Sequence, residues 1–289
     1  MNNKKIILQP RKKLKLNNYH IEVKTLKFIA EISCLTSRLI KQSLRRYPTL
    51  IAGIIQPLLW QILFGALFQK ISIIHITSYP HFLSSGIIIF TAFSSALNAG
   101  LPIMFDREFG FFNRLLVISL VNRFSIVIAS ICFMASVSLI QSFLVMLLTI
   151  SKSIEFYNAA NLLLISLIIL LIIIIITMVS LSITFFLPGH IELLALIFVT
   201  NLPLLFISTA LAPIEIMPKW LQILTSLNPL TYAIESIRYL TLNMNSNFFN
   251  TVFNTAFGPI NLLGILTLFF VLNFCLFNAT KHFFQQKLE

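Results

Sequence analysis

The sequence predicts an all-α polytopic membrane protein, and three observations predict it. First, the chain is 57% hydrophobic over 289 residues, and the apolar residues gather into blocks longer than the core helices of a soluble domain need. Second, the run LLLISLIILLIIIIITMVSLSITFF, residues 162–186, carries no charge. At about 1.5 Å per residue such a run is helix enough to cross a hydrocarbon layer of about 30 Å. Third, the net charge of +12 is unevenly placed, because twelve of the 21 Lys and Arg residues precede Tyr47. A basic flank ahead of the first apolar block is the mark of a segment facing anionic lipid on the inner side of a membrane. Nucleic acid is not expected as a partner, since no aromatic residues interleave with the basic ones.

Taken in order, residues 1–23 form a basic arm with Lys4, Lys5, Arg11, Lys12, Lys13 and Lys15. No cleavable targeting segment is read there, because IIL is too short for an apolar signal core. Residues 24–47 then sort polar Lys24, Lys27, Glu31, Arg38, Lys41 and Arg45 from apolar Phe28, Ile32, Leu35 and Leu39 at spacings of three and four. That spacing predicts an amphipathic connecting helix lying in the inner interface.

Six spans follow, at 48–69, 82–103, 122–149, 160–187, 192–212 and 260–279. An even number puts both termini on one side. With the N-terminus inside, seventeen basic residues fall on the inner side and four (Lys70, Lys152, Lys219 and Arg238) on the outer side, so the charge distribution favours this orientation. The outer segment between spans five and six is broken by Pro213, Pro218 and Pro229 and carries Trp220, Tyr232 and Tyr239. Short re-entrant or interfacial helices are expected there. Residues 280–289 are read as an inner tail.

The chemistry that the sequence permits is limited. Its eight glycines never form GxxxxGK[ST], so ATP is not bound on this chain through a P-loop. Ionisable residues sit in flanks, loops or span ends, with Glu192 the nearest approach to a span interior, which argues against ion-coupled transport. Cys34, Cys132 and Cys275 are too scattered for a disulfide framework or a CxxC site. His75 and His81 share a loop without a third ligand nearby, so no metal site is expected. No grouping of nucleophile, base and acid is found, and the chain is not read as an enzyme. Within spans, Gln56, Gln61, Asn98, Gln141 and Asn201 serve either as interhelical hydrogen-bond partners or as the lining of a path. Pro57 and Pro203 allow kinks in spans one and five.

One stretch stands out. FDREFGFFNRLLV, residues 105–117, places Asp106, Arg107, Glu108 and Arg114 in a chain that is only 10% charged. After Gly110, Phe111, Leu115 and Ile118 recur at i, i+4 and i+7, which predicts a short amphipathic inner helix. Acids add little to a topology signal, and the cluster Phe109, Phe111 and Phe112 exceeds what a turn requires. A binding surface fits this composition better.

Three ordered motifs carry a resemblance: RRYPTLIAGIIQPLLWQILFGALF (45–68), DREFGFFNRLLVISLVNRFSIVIAS (106–130) and MPKWLQILTSLNPLTYAIESIR (217–238). With the six-span pattern they resemble the permease subunits of ABC-2 type transporters, in particular bacterial drug and polysaccharide exporters and their plastid-encoded algal relatives. The resemblance covers nearly the whole chain after residue 35.

It implies a homodimeric permease resting on a separate ATPase subunit, with ATP and Mg bound on that partner and no cofactor on this chain. The substrate implied is amphipathic, lipid-like or a polysaccharide. The resemblance further implies an ATPase-coupling helix carried by Asp106, Arg107, Glu108, Phe111, Phe112, Arg114 and Leu115, braced by the connecting helix. A translocation path would use Gln56, Trp60 and Asn201, and an outer lid Asn228, Pro229, Tyr232, Glu235 and Arg238. The excess of Ile (44) over Ala (16) points to an A+T-rich coding sequence, hence a plastid membrane, with a bacterial inner membrane as the alternative. An ion-coupled carrier or channel, and a non-transporting assembly scaffold, remain as competing readings.

Overall fold

The computed structural model describes residues 16–68, 79–118, 120–153, 159–242 and 248–288. The arm up to residue 15, Lys70 and His75 lie outside the described residues. The fold is a helical bundle. In lipid every backbone N–H and C=O must be bonded within the protein, and helices do this inside one segment.

The connecting helix is α1, Leu16–Leu44. Its Phe28, Ile32 and Leu35 are half-buried and its Leu39 is buried against Ala99, Phe133 and Met134. The opposite face is not purely solvent-facing, since Glu31 accepts a hydrogen bond from the Val121 backbone N–H at 2.8 Å. After Arg45–Arg46, α2 runs from Tyr47 to Leu67, with Pro48 in its first turn, where a missing N–H costs nothing, and Pro57 inside it.

The second span departs from its expected end. α3, Tyr79–Leu97, continues through a turn at Asn98–Ala99 into α4, Gly100–Glu108, and the two make one apolar element of 30 residues. The turn has a local cause, because Pro102 has no N–H to offer the Asn98 carbonyl four residues earlier. Ser180 stitches it in place, accepting from Gly100 N–H at 3.0 Å and donating to Leu97 O at 2.6 Å. Asp106, Arg107 and Glu108 therefore close span two and do not open a separate helix, as the 82–103 boundary had implied. The separate helix is α5, Phe111–Val117, and Gly110 at φ 71° makes the corner between them.

α6, Ser125–Ser153, and α7, Ala159–Thr184, return across the bundle. α7 is the most apolar span, with a mean hydropathy of 3.5, and is apolar on every side because what is not buried in the bundle faces lipid in a membrane. α8, His190–Phe206, is shorter than the expected 192–212. Pro203 leaves the Val199 carbonyl without a partner from its ring nitrogen. Beyond Phe206 the chain turns, and Asn228 Nδ2 donates to Leu204 O and Ile207 O, taking up the carbonyls at the helix end.

The long segment that follows holds a 3-10 turn at Ile214–Ile216, then α9, Lys219–Leu227, and α10, Pro229–Leu242. It also holds an element absent from the sequence reading, a two-stranded antiparallel hairpin of β1, Thr251–Thr255, and β2, Gly258–Asn261, with an irregularity between Thr251 and Phe253. α11, Leu262–Leu288, extends past the expected span end at 279, and Phe284 is buried edge-on to Phe185 at 4.4 Å, so this stretch is packed helix where a tail was read.

Among the described residues, five helical elements are long and apolar enough to cross a membrane, Tyr47–Leu67, Tyr79–Glu108, Ser125–Thr149, Ala160–Thr184 and Leu262–His282, and His190–Phe206 is a shorter apolar helix. The core sits where α3, α7, α10 and α11 meet, with Phe90, Phe93, Ile168, Ile172, Ala233 and Phe269 buried. Arg46, Glu108, Arg123, His190 and Phe284 mark the α1 end of the bundle, and α9, α10 and the hairpin mark the other.

Candidate functional site

At the α1 end the charged triplet of α4 is fully engaged. Asp106, nearly buried, is paired with the Arg38 guanidinium of α1. Arg107 Nη1 donates to Thr184 O at 2.5 Å and Nη2 to Leu187 O at 3.4 Å, so a cation closes the C-terminal carbonyls of α7. Glu108 accepts from the His190 backbone N–H and meets His190 Nδ1, both at 2.5 Å. A carboxylate thus caps the first turn of α8, where unpaired N–H groups and the helix dipole favour negative charge.

These charges, expected on a docking face, hold α4 to α1, α7 and α8. The apolar sorting of α5 also differs from expectation. Phe112 and Leu115 are the buried pair, Phe112 lying 5.9 Å from Phe185, while Phe111 and Ile118 are exposed. Arg38 Cζ lies 4.6 Å from the Phe111 ring centroid, a cation–π contact that replaces burial. The heptad-like i, i+4, i+7 reading fails because the helix ends at Val117, before Ile118 completes the stripe. What α4, α5 and the corner between them present outward is Phe109, 77% exposed, Val117, 87% exposed, and the exposed Glu108, Asn113 and Arg114.

Above this end lies a cavity of about 530 Å³. Its walls come from the end of α1, the first half of α2, the α3–α4 turn, α6 and α8. Gln56 and Asn201, expected on a path, both line it, joined by Asn98 and Gln141. Trp60 does not line it. Instead Trp60 begins an aromatic ladder through Phe64, Phe68, Tyr79 and Phe82, with successive centroids 5.1, 5.9, 5.3 and 6.2 Å apart. The sequence reading passed over Gln42, Ser43 and Arg46, which also line the cavity. Their signal was present, as polar residues where an amphipathic helix meets a span, but nothing in the sequence turns them toward α6 and α8.

At the hairpin end, the five residues expected in a lid fasten α10 into the bundle. Asn228 Oδ1 accepts from Leu230 N–H at 3.0 Å, and Pro229 takes the first helical position, an N-cap and N1 pair. Tyr232 donates its hydroxyl to Ser226 O at 2.6 Å. Arg238 pairs with Glu235 at 2.5 Å, donates to Phe82 O and Thr209 O at 3.3 and 3.1 Å, and lies 3.6 Å from the Phe82 ring centroid. Burial pulls the Arg238 guanidinium below its ordinary range, and the Glu235 carboxylate opposes that pull. The aromatic ladder from Trp60 thus ends under a buried cation.

The model of the ABC-2 type transporter family matches residues 30–242. A protein of Porphyra purpurea described as "Putative transport permease ycf38" is 49% identical over 276 residues, covering 93% of this chain and 92% of that one. Proteins with the same description from Pyropia yezoensis and Cyanophora paradoxa are 47% and 48% identical, covering 100% and 86% of this chain and 99% and 88% of their own. A family match from α1 through α10, with relatives near half identical over most of both lengths, places the chain: it belongs to the ABC-2 type transporters, as a multi-pass membrane protein of the permease family.

Proposed function

We propose that this chain is the membrane subunit of an ATP-driven exporter for an amphipathic, lipid-like or polysaccharide substrate. It works as a homodimer on a separate ATPase subunit that binds ATP and Mg. The observation that carries this reading is the union of a polar cavity with a braced, apolar-tipped end. α5 and the corner before it expose Phe109 and Val117, while Asp106, Arg107 and Glu108 tie the same end to three neighbouring helices. ATP hydrolysis can drive transport only if closure of the ATPase pair is felt as a different set of contacts in two permease states. A short helix clamped to α1, α7 and α8 is suited to relay such a movement.

In this reading α8 serves as the sixth span, beside the five longer ones. The apolar stripe Ile51, Ile55, Leu59 and Ile62 of α2 and the exposed Val199, Leu202 and Phe206 of α8 face lipid or the second copy. The α9–α10 segment closes the outer end of the path, the termini lie on the stromal or cytoplasmic side, and a plastid membrane is the proposed location.

An ion-coupled carrier would place acids in the cavity, and no Asp or Glu lines it among the described residues. The test is purification in mild detergent followed by reconstitution. A stoichiometric ATPase should copurify with the parent chain. Phe109→Asp with Val117→Asp should abolish that copurification while leaving thermal unfolding unchanged, because both side chains are exposed. Phe112 would not serve here, since truncating a buried Phe costs about 3–5 kcal/mol and reads folding instead. Reproducible absence of any ATPase from the parent chain would return the question to a carrier or a scaffold.

A further inference from the structure

We propose that the cavity binds a hydroxylated headgroup carrying a single negative charge, a phosphate bearing a polyol, at Arg46, Gln141 and Asn201. This rests on reading the cavity as the transport path and names the chemistry of what enters it. Its volume of about 530 Å³ is that of a small-ligand site, typically ~300–1,000 Å³.

The first observation concerns acceptors. Gln141 is only 6% exposed and its amide is pinned, Nε2 donating to Leu50 O at 3.1 Å. Its Oε1 has no protein partner. Asn201 repeats the pattern across the cavity, with Nδ2 3.5 Å from Ser94 Oγ and Oδ1 buried without a partner. Buried polar atoms are rarely left unpaired. These two orphaned carbonyl oxygens, on lining residues of α6 and α8, gain donors if their side chains turn into the cavity, and hydroxyl groups supply donors where an acyl chain cannot.

The second observation concerns charge. Arg46 is the one Lys or Arg among the described residues lining the cavity, and no acid lines it. Its Cζ lies 5.1 Å from the Phe105 ring centroid, which holds the guanidinium at the rim where α1 meets α2. Gln141 bonds Leu50 O, four residues and about 6 Å of helix beyond Arg46, so the cation and this amide lie within reach of one headgroup. A guanidinium matches phosphate geometry with paired N–H donors. Apolar Phe133, Ile197 and Phe198 complete the wall and suit the carbons next to a headgroup.

The source is resolved by experiment. The intact chain is placed in nanodiscs that mix phosphatidylcholine with phosphatidylglycerol, whose headgroup has one phosphate and two hydroxyls, or with a neutral galactolipid. Lipids retained by the protein are counted by native mass spectrometry, and soluble glycerophosphoglycerol, a singly charged phosphate diester with the same headgroup, is offered as competitor. The parent chain should retain phosphatidylglycerol over phosphatidylcholine. Arg46→Gln should cut that preference about tenfold, the loss of one charge-assisted hydrogen bond, and leave galactolipid retention unchanged. Asn201→Leu and Gln141→Leu should weaken both hydroxylated lipids, and two variants keep the test open should one fail to fold.

Competition by glycerophosphoglycerol would assign the site to soluble polyol phosphates, and its failure to compete would assign the site to lipid. The inference is overturned if phosphatidylglycerol is not preferred, or if Arg45→Gln, beside but outside the cavity lining, lowers the preference as much as Arg46→Gln. Because this assay needs no ATPase, loss of headgroup preference with ATPase copurification intact sinks this inference alone. The reverse pattern sinks the exporter reading alone.

Discussion

Replacing Arg38 with Met should detach the connecting helix from the end of span two. The Asp106 side chain is 10% exposed and that of Arg38 is 30% exposed, so the pair stands between two limits. Breaking a fully buried pair by removing one partner costs about 3–5 kcal/mol, and an exposed pair contributes about 0–1 kcal/mol. Asp106 lies near the first limit and Arg38 is a third of the way out, which puts the cost of the single change at about 2–3 kcal/mol, including the cation–π contact to Phe111. Met keeps the apolar stem of Arg38, so packing loss is small.

At about 2–4 °C per kcal/mol for a chain of this size, the unfolding midpoint should fall by about 4–12 °C. Thermal unfolding in detergent, followed by size-exclusion chromatography, measures it. Arg38→Met combined with Asp106→Leu leaves no stranded charge and should return to within about 1 kcal/mol of the parent. If the two single losses simply add, or if Arg38→Met shifts the midpoint by less than 1 °C, the pair does not hold α1 to α4 and the brace is misassigned.

Two further outcomes follow from packing and from charge. A Cβ at Gly100 would lie 2.0 Å from Thr184 Oγ1 and 3.0 Å from Ser180 O, so Gly100→Ala should destabilise by about 1–3 kcal/mol, as overpacking does. Thr184→Ala in the same chain should restore part of the loss, and the same thermal assay reads both. In a background lacking Cys34, Cys132 and Cys275, Arg123→Cys and Lys219→Cys should react with an impermeant thiol reagent from opposite faces of sealed vesicles. Labelling of both from one face would overturn the proposed topology.

Hydropathy made the spans legible because a helix that must meet lipid carries its identity in its own residues. Pro102 and Gly110 likewise marked a break through local backbone chemistry, while Pro203 was read as a kink inside a span that in fact ends at Phe206. Pairing was not legible, because it depends on residues far apart in sequence. Asp106 looks like a free charge until Arg38, 68 residues earlier, lies across from it, and Glu108 looks the same until the first turn of α8 arrives 82 residues later.

The hairpin was hidden for another reason. Its strands have five and four residues, too few for an alternating pattern to register, and only Gly258 at φ 133° marks the turn. In α5 the error was of phase. The spacing of Phe111, Leu115 and Ile118 described a possible stripe, but Arg38 stacking on Phe111 lets the neighbouring Phe112 turn inward to Phe185.

Successive residues on a helix point about 100° apart, so three in a row sweep about 200° and can reach three different neighbours. Asp106, Arg107 and Glu108 do this, meeting α1, the end of α7 and the start of α8. Two of those partners also wall the cavity, α1 through Leu39 and α8 through Leu194, Ile197 and Asn201. A push on α5 delivered through the Gly110 corner therefore need not be carried by a chain of loosely packed side chains. It reaches α8 through its N-terminal cap, and eleven residues later, about 16 Å along a rigid helix, it reaches the orphaned carbonyl of Asn201. In the proposed cycle Asp106, Arg107 and Glu108 brace the surface that meets the ATPase. In that cycle they are the joint that carries movement of the exposed Phe109–Val117 tip to the cavity wall, each held by a partner within the protein, Asp106 in the interior and Glu108 at the surface.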